Sequence, residues 1–221
     1  MTGLCFVGVA LSLWSRTAES VAVIQWGEQC GFARTAKSHD VEAEQLQLSA
    51  FYYGYLISML AGGWLSARFG GHVTFGAAVV GSCLAGALTP LGGCHVGLAA
   101  AIRATAGVLQ GPVFPALSHL LGRWILSDER STAVNWTNMG CYTGVLIAYP
   151  VSNWLCLHVG WQWAHVVPAM ASLPWCVLWS VVASDRPQTS RRISAAELHL
   201  LAQVEPVEVL QTCMIHKKIL L

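Results

Sequence analysis

The sequence has 221 residues, of which 55% are hydrophobic and only 10% are charged. Soluble domains carry about 25% charged residues, so this composition predicts an all-α, polytopic membrane protein without a large soluble domain. A net charge of +1 and the lack of a basic stripe argue against nucleic acid as a partner. The lipid bilayer is the expected surroundings, and 10 tryptophans and 21 glycines suit its interfaces and closely packed helices.

The eight cysteines are scattered, without a CxxC motif or a Cys/His ligand spacing. We therefore expect neither a metal site nor any other cofactor. Cys30 and Cys94 both fall on the predicted non-cytoplasmic side, where they are able to pair. We expect them to be unpaired.

Apolar runs divide the chain into six predicted membrane helices. A bilayer core about 30 Å thick needs roughly 20 apolar residues in helical form. We therefore expect one transmembrane unit over residues 1–184, with spans at about 3–26, 48–67, 73–91, 96–121, 131–157 and 164–183. Residues 185–221 are expected to form a polar cytoplasmic tail.

Basic residues between the predicted helices favour one side of the membrane. The positive-inside rule places that side, and with it both termini, in the cytoplasm. The residues that carry this argument are Arg68, His72, Arg123, Arg130, Arg186, Arg191, Arg192, Lys217 and Lys218. The sequence does not decide between the plasma membrane and a vesicular or lysosomal membrane.

The fourth predicted helix carries an arginine inside its apolar run. Arg103 lies about 10 Å along the span at 1.5 Å per residue. An arginine at such depth costs about 2.5–3.5 kcal/mol on insertion scales and marks a solute path by default. Gln110 follows two turns later on the same face, close to Gly107 and Gly111. Alternatively, Arg103 extends along the helix to reach the lipid headgroups.

The first predicted helix has a second buried arginine. Arg16 and Glu19 are three residues apart on one helical face. They are able to pair with each other, which lowers the cost of burial without any function. The other interpretation is that Arg16 faces the same cavity as Arg103.

The stretch GGWLSARFGGH, residues 62–72, resembles the signature loop between helices two and three of the major facilitator superfamily. Ala67 stands where that family has an acid. We expect two consecutive glycines to adopt the positive φ values of a tight turn. The resemblance implies a gating role for Gly62, Gly63, Arg68, Gly70 and Gly71.

An ordered set of further motifs resembles the anion:cation symporter branch of that superfamily. This branch covers sodium–phosphate, sialic acid, vesicular glutamate and vesicular nucleotide transporters. The motifs are Phe51–Tyr55, Arg103, Gln110-Gly111, Pro115-Ala116, Glu129-Arg130-Ser131 and Gly160-Trp161. The resemblance implies a salt bridge of Glu129 and Arg130 in a cytoplasmic loop. It fades after about residue 203, so we expect the truncated N-terminal six-helix half of a carrier.

The resemblance implies a central site for a small organic or inorganic anion, with proton or sodium as the coupling ion. Arg16 and Arg103 would bind the anion through forked, charge-assisted hydrogen bonds. The rest of the lining would be Gln110, Tyr53, Tyr55 and Asn138. Several members have a glutamate at position 110, whereas the glutamine of this chain cannot titrate. Leu48 disfavours glutamate as substrate, because glutamate carriers have a histidine there, and the segment from Gln110 to Leu117 is most similar to the vesicular nucleotide type.

Two other classes compete with transport. The first is a non-transporting, truncated membrane protein that associates with or regulates a full-length carrier, with its arginines satisfied by Glu19 or by the headgroups. The second is a membrane enzyme. The sequence has no HExxH, no GxSxG, no paired membrane aspartates and no Gly-rich phosphate loop, so we expect no enzyme.

Overall fold

The computed structural model describes residues 1–30, 38–125 and 127–183, without the side chains of residues 38–44, 127 and 128. The predicted tail from residue 185 therefore lies outside the described residues. Within them the chain is helical and contains no strand. The elements are α1 (Thr2–Gln29), α2 (Ser38–Phe69), α3 (Gly71–Ala87), the 3-10 helix η1 (Thr89–Gly92), α4 (Val96–Gln110), α5 (Val113–Trp124), α6 (Ser127–His158) and α7 (Trp161–Val182).

The helix predicted over residues 96–121 is interrupted. α4 ends at Gln110 and α5 begins at Val113, with Gly111 and Pro112 between them. Proline lacks an N–H, so the intrahelical hydrogen-bond ladder lapses there. Both intervening residues keep right-handed helical dihedral angles, and α4 and α5 therefore continue as one span.

Counted in this way, the described residues contain six helical spans in the predicted order. Four are long and apolar enough to cross a membrane by length and composition: Thr2–Gln29, Gly71–Gly92, Val96–Trp124 and Trp161–Val182. α2 and α6 are longer, at 32 residues each, but they are more polar.

Pairs of glycines let two helix pairs approach closely. A Cβ added to Gly107 on α4, or to Gly111 directly after it, would overlap a backbone carbonyl oxygen of α2. On α6, a Cβ added to Gly140 or Gly144 would overlap backbone oxygens of α1. Each pair follows the small-xxx-small spacing that lets membrane helices touch through their backbones. The tightest helix contacts are therefore α2 with α4 and α1 with α6.

A core of aromatic residues holds α1, α3 and α7 together. Phe75 on α3 packs against Trp175 and Trp179 of α7, with ring centroids 6.0 and 5.1 Å apart. The indole N–H of Trp175 donates to the carbonyl oxygen of Leu4 at 3.0 Å, and that of Trp179 donates to His72 at 3.1 Å. Buried indoles thus satisfy their one polar atom on a neighbouring helix.

Cys30 and Cys94 form a disulfide, with Cα atoms 5.4 Å apart. The expectation that they are unpaired was wrong. The reason is that α1 continues to Gln29, beyond its predicted end, and that the short segment between η1 and α4, which carries Cys94, lies beside that end of α1. Trp26 on α1 also donates its indole N–H to the carbonyl oxygen of Gly93 at 2.7 Å.

Candidate functional site

Arg103 is buried inside the helical bundle and forms an ion pair there. One guanidinium nitrogen lies 2.7 Å from Oε1 of Glu19 on α1. Arg103 is 3% exposed and Glu19 is 2% exposed. The structure therefore contradicts the alternative in which Arg103 extends to the headgroups. Since a lone charge in an apolar interior is very costly, the two charges require each other.

Two more side chains reach the same carboxylate oxygen. The hydroxyl of Thr89 in η1 donates to Oε1 of Glu19 at 3.1 Å. Nδ1 of His165 on α7 lies 3.2 Å from that oxygen, although not in hydrogen-bond geometry. Neither residue was singled out in the sequence, because each is an isolated polar residue in an apolar run. Their proximity to Glu19 is visible only in the tertiary structure, where α1, η1, α4 and α7 meet at this residue.

Arg16 points away from Glu19, toward α2. The centre of its guanidinium lies 5.2 Å from the ring centroid of Phe51, 4.7 Å from that of Tyr52 and 5.6 Å from that of Tyr55. In the described part of the chain Arg16 has no acidic partner. The predicted Arg16–Glu19 pair is therefore wrong. Glu19 pairs with Arg103 of α4 instead, and the guanidinium of Arg16 packs on three aromatic rings of α2.

Phe51 connects the two arginines. The guanidinium of Arg103 lies 5.4 Å from the Phe51 ring centroid, on which Arg16 also packs. Nε of Arg103 has no hydrogen-bond partner among the described residues, and Arg16 is half-buried. The result is a positively charged patch between α1, α2 and α4 with unused N–H donors.

Gln110 fastens α4 to α1 two turns from the ion pair. Its amide nitrogen donates to the carbonyl oxygen of Ser12 at 2.8 Å and also to the Ser12 hydroxyl. Its amide oxygen has no partner within the described residues. Ser12 and Glu19 thus face Gln110 and Arg103 along two antiparallel helices.

The remaining predicted lining residues divide into two groups. Tyr55 lies beside Arg16, as described above. Tyr53 is 68% exposed, whereas Tyr52, which was not predicted, contacts Arg16 together with Tyr55. Asn138 is half-buried on α6.

The predicted gating loop turns through one positive-φ glycine rather than two. Gly70 has φ +90°, whereas Gly71 already begins α3. A Cβ on Gly71 would lie 3.1 Å from the Ala116 carbonyl oxygen of α5, so Gly71 serves close approach instead. Gly62 likewise packs against Pro112, and Arg68 is exposed at the end of α2. Gly63 has open space around it.

The other predicted cytoplasmic contact involves Glu129 and Arg130, at the start of α6. Arg130 donates to the carbonyl oxygen of Gly122 in α5 at 3.1 Å. Glu129 is exposed in the first turn of α6. Their predicted roles in a cytoplasmic loop stay predictions.

Comparison with known proteins identifies the family of this chain. Residues 5–220 match the Major Facilitator Superfamily. Sialin of Homo sapiens is 30% identical over 159 residues, which cover 72% of this chain and 32% of sialin. Probable anion transporter 6 of Oryza sativa subsp. japonica is 35% identical over 142 residues, which cover 64% of this chain and 33% of that protein. The chain spans about a third of the length of these curated relatives.

A solved structure supports the fold. The crystal structure of a D-xylose-proton symporter superposes with a TM-score of 0.72 at 18% identity, over 96% of this chain and 52% of that one. At this identity the likeness concerns the fold alone, and it confirms the predicted six-helix half of a major facilitator fold.

The relatives also agree with the predicted anion-transporter branch. They are transporters rather than enzymes, which confirms the prediction that the chain is not an enzyme. Because the family match covers nearly the whole sequence, the chain belongs to the Major Facilitator Superfamily.

Proposed function

We propose that this chain forms the N-terminal half of a secondary transporter, of the symporter type, for a small organic or inorganic anion. The observation that carries the proposal is the convergence of Arg16 and Arg103 on Phe51 inside an apolar bundle. In this fold, substrate binds near the midplane between two helical halves, which rock to give alternating access. A second six-helix half would close the site.

The chemistry of the patch suits an anion. A guanidinium binds carboxylate or phosphate through two parallel N–H···O bonds, and such bonds gain strength where water is excluded. The unpaired Nε of Arg103 and the half-buried guanidinium of Arg16 supply the donors. Tyr52 and Tyr55 are able to add hydroxyl contacts. Coupling to a proton or to sodium would run through another group than Gln110.

We propose that both termini and the loop after α2 face the cytoplasm. The basic residues named above support this orientation through the positive-inside rule. The Cys30–Cys94 disulfide supports this orientation independently. It lies at the C-terminal end of α1 and the N-terminal end of α4, and so at the end of α1 that is remote from the N-terminus of the chain. Disulfides persist in oxidising compartments, which the non-cytoplasmic face of a vesicle or plasma membrane borders.

Anion binding to the purified chain in lipid nanodiscs tests the proposal. We expect Arg103→Lys and Arg16→Lys each to raise the Kd of whichever anion binds the original chain by about tenfold or more. Lysine keeps the charge but loses the two parallel N–H donors of the guanidinium. Arg191→Lys, in the tail, is the matched control and should bind as the original chain does. Uptake into proteoliposomes, with the second half supplied, then tests transport. Unchanged binding by both arginine variants would refute the site.

The alternative of a non-transporting partner of a full-length carrier keeps one point in its favour. Arg103 is already satisfied by Glu19, as that interpretation expects. Co-purification with a full-length carrier, together with no anion binding by the chain alone, would favour this alternative.

A further inference from the structure

We propose that Gln47 forms a second subsite beside the two arginines, which accepts a hydrogen bond from the bound anion. This subsite selects organic anions that carry an O–H or N–H donor over anions of similar size that carry none. The inference rests on the proposed anion-binding function, and it deepens that function because it adds a second chemical requirement to the charge of the substrate.

Gln47 is a buried polar side chain whose oxygen the protein leaves without a partner. The residue is 3% exposed. Its amide oxygen, Oε1, has no hydrogen-bond partner among the described residues. An amide oxygen that is removed from water without a partner destabilises the folded state, and such atoms are rare in native structures. A donor on a bound substrate would supply the missing hydrogen bond.

The position of Gln47 on α2 places it at the positively charged patch. Gln47, Phe51 and Tyr55 are spaced four residues apart and therefore form one stripe along the helix. The rings of Phe51 and Tyr55 are stacked, with centroids 5.9 Å apart. Both guanidiniums pack on Phe51, and that of Arg16 also packs on Tyr55. Gln47 thus continues a stripe whose other two members already contact the arginines.

The direction of α2 determines on which side of the patch Gln47 lies. One helical turn rises about 5.4 Å, so Gln47 lies about one turn from Phe51, toward the N-terminal end of α2. Helical side chains also lean toward the N-terminus of their helix. In the orientation proposed above, the amide of Gln47 is on the non-cytoplasmic side of the arginines. Gln110, two turns after Arg103 on α4, is on their cytoplasmic side.

The surroundings of Gln47 are apolar. Leu48, the next residue of α2, packs against a buried cluster that includes Trp26 of α1 and Ala99 of α4. A hydrogen bond is electrostatically stronger in such surroundings than in water, and an unpaired polar atom is correspondingly more costly. The presence or absence of one donor on the ligand should therefore change its affinity strongly.

The arginines and Gln47 have opposite hydrogen-bonding character. A guanidinium carries donors and no acceptor, so Arg16 and Arg103 bind the anionic group of a ligand. Oε1 of Gln47 is an acceptor, and it needs an O–H or N–H on another part of the same ligand. When an anion without that donor fills the site, Oε1 stays unpaired and water is excluded. Sites built to hydrogen-bond a substrate group discriminate strongly against analogues that lack the group.

The test measures the binding of two matched pairs of anions to the whole chain in nanodiscs. D-gluconate and hexanoate share a six-carbon monocarboxylate chain, and tartrate and succinate share a four-carbon dicarboxylate chain. The first member of each pair has hydroxyl groups and the second has none. We expect the original chain to bind at least one hydroxylated probe about tenfold or more tightly than its unhydroxylated partner.

Gln47→Met removes the amide and keeps a side chain of similar length. This variant should raise the Kd of the hydroxylated probe by about tenfold or more, and it should change the Kd of the unhydroxylated partner by less than about twofold. Gln162→Met is the matched control, since it makes the same change at a half-buried position at the start of α7. It should keep the selectivity of the original chain.

A melting experiment separates this role from a structural one. Because Oε1 of Gln47 is unpaired in the free chain, Gln47→Met should unfold in detergent at the same temperature as the original chain or at a higher one. A lower melting temperature would show that the amide stabilises the helix bundle, and it would overturn the inference without any ligand.

Several binding results would also overturn the inference. They are equal affinities within both pairs for the original chain, unchanged selectivity in Gln47→Met, an equal loss of selectivity in Gln162→Met, or no binding of any of the four probes. If Arg103→Lys weakens binding of both members of a pair while Gln47→Met binds them as the original chain does, the anion site stands and the Gln47 subsite fails. If both arginine variants bind as the original chain does, the anion site itself fails.

Discussion

The close contact between α2 and α4 makes a quantitative prediction about Gly107. In Gly107→Ala, the new methyl group would overlap the carbonyl oxygen of Phe51 and lie 2.9 Å from its carbonyl carbon and 3.0 Å from the Tyr55 nitrogen. These neighbours are backbone atoms, so the two helices must move apart. Overpacking of this kind costs typically about 1–3 kcal/mol.

The same helix supplies a matched control. Gly97 also lies in α4, but a Cβ there has no neighbour within 4 Å. Gly97→Ala should therefore be neutral or stabilising by up to about 1 kcal/mol, because alanine favours helix over glycine. Thermal unfolding in one detergent compares the two variants, and for a chain of this size the difference should amount to several degrees, at about 2–4 °C per kcal/mol. Equal melting temperatures would refute the close packing of α2 on α4.

The displacement should also reach the arginines. Phe51 packs on both guanidiniums, so a shift of α2 relative to α4 changes the patch that they form. We therefore expect Gly107→Ala to weaken anion binding, whereas Gly97→Ala leaves it unchanged. Normal binding by Gly107→Ala would contradict a site held between α2 and α4.

Three further predictions concern the disulfide, the ion pair and the signature turn. Without reductant, Cys94 should react with a maleimide in Cys30→Ser but not in the original chain. Loss of the disulfide should lower the free energy of unfolding by about 2–4 kcal/mol. Labelling of Cys94 in the unreduced original chain would refute the pairing. Glu19→Ala leaves a buried arginine without its partner and should cost about 3–5 kcal/mol, whereas Glu28→Ala at an exposed site should change stability by no more than about 0.5 kcal/mol; equal melting temperatures would contradict the pair. Gly70→Ala places a side chain at φ +90° and should lower stability by about 1–3 kcal/mol, which an unchanged melting temperature would disprove.

The sequence determined the class of protein and the order of its helices. A scarcity of charge and a series of long apolar runs leave a helical membrane bundle as the structure that satisfies the backbone in lipid. The depth of Arg103 was readable for the same reason, because position along a helix follows from residue number. Motif order was also sufficient to indicate the family.

Helix boundaries were less well determined. α2 begins at Ser38, ten residues before its predicted start, because a polar helical segment outside the apolar run has no hydrophobic signal. The break at Gly111 and Pro112 was hidden for the opposite reason, since the apolar pattern continues on both sides of it.

Only the tertiary structure decided the partners. Helical periodicity tells which residues share a face, but the rotation and vertical position of one helix against another depend on the packing of the whole bundle. In that packing Glu19 pairs with Arg103 rather than with Arg16, and Tyr52 rather than Tyr53 contacts Arg16. The same packing joins Cys30 to Cys94. Contacts between helices are long-range in sequence, so local patterns name the polar groups in a membrane bundle while three-dimensional packing chooses which of them meet.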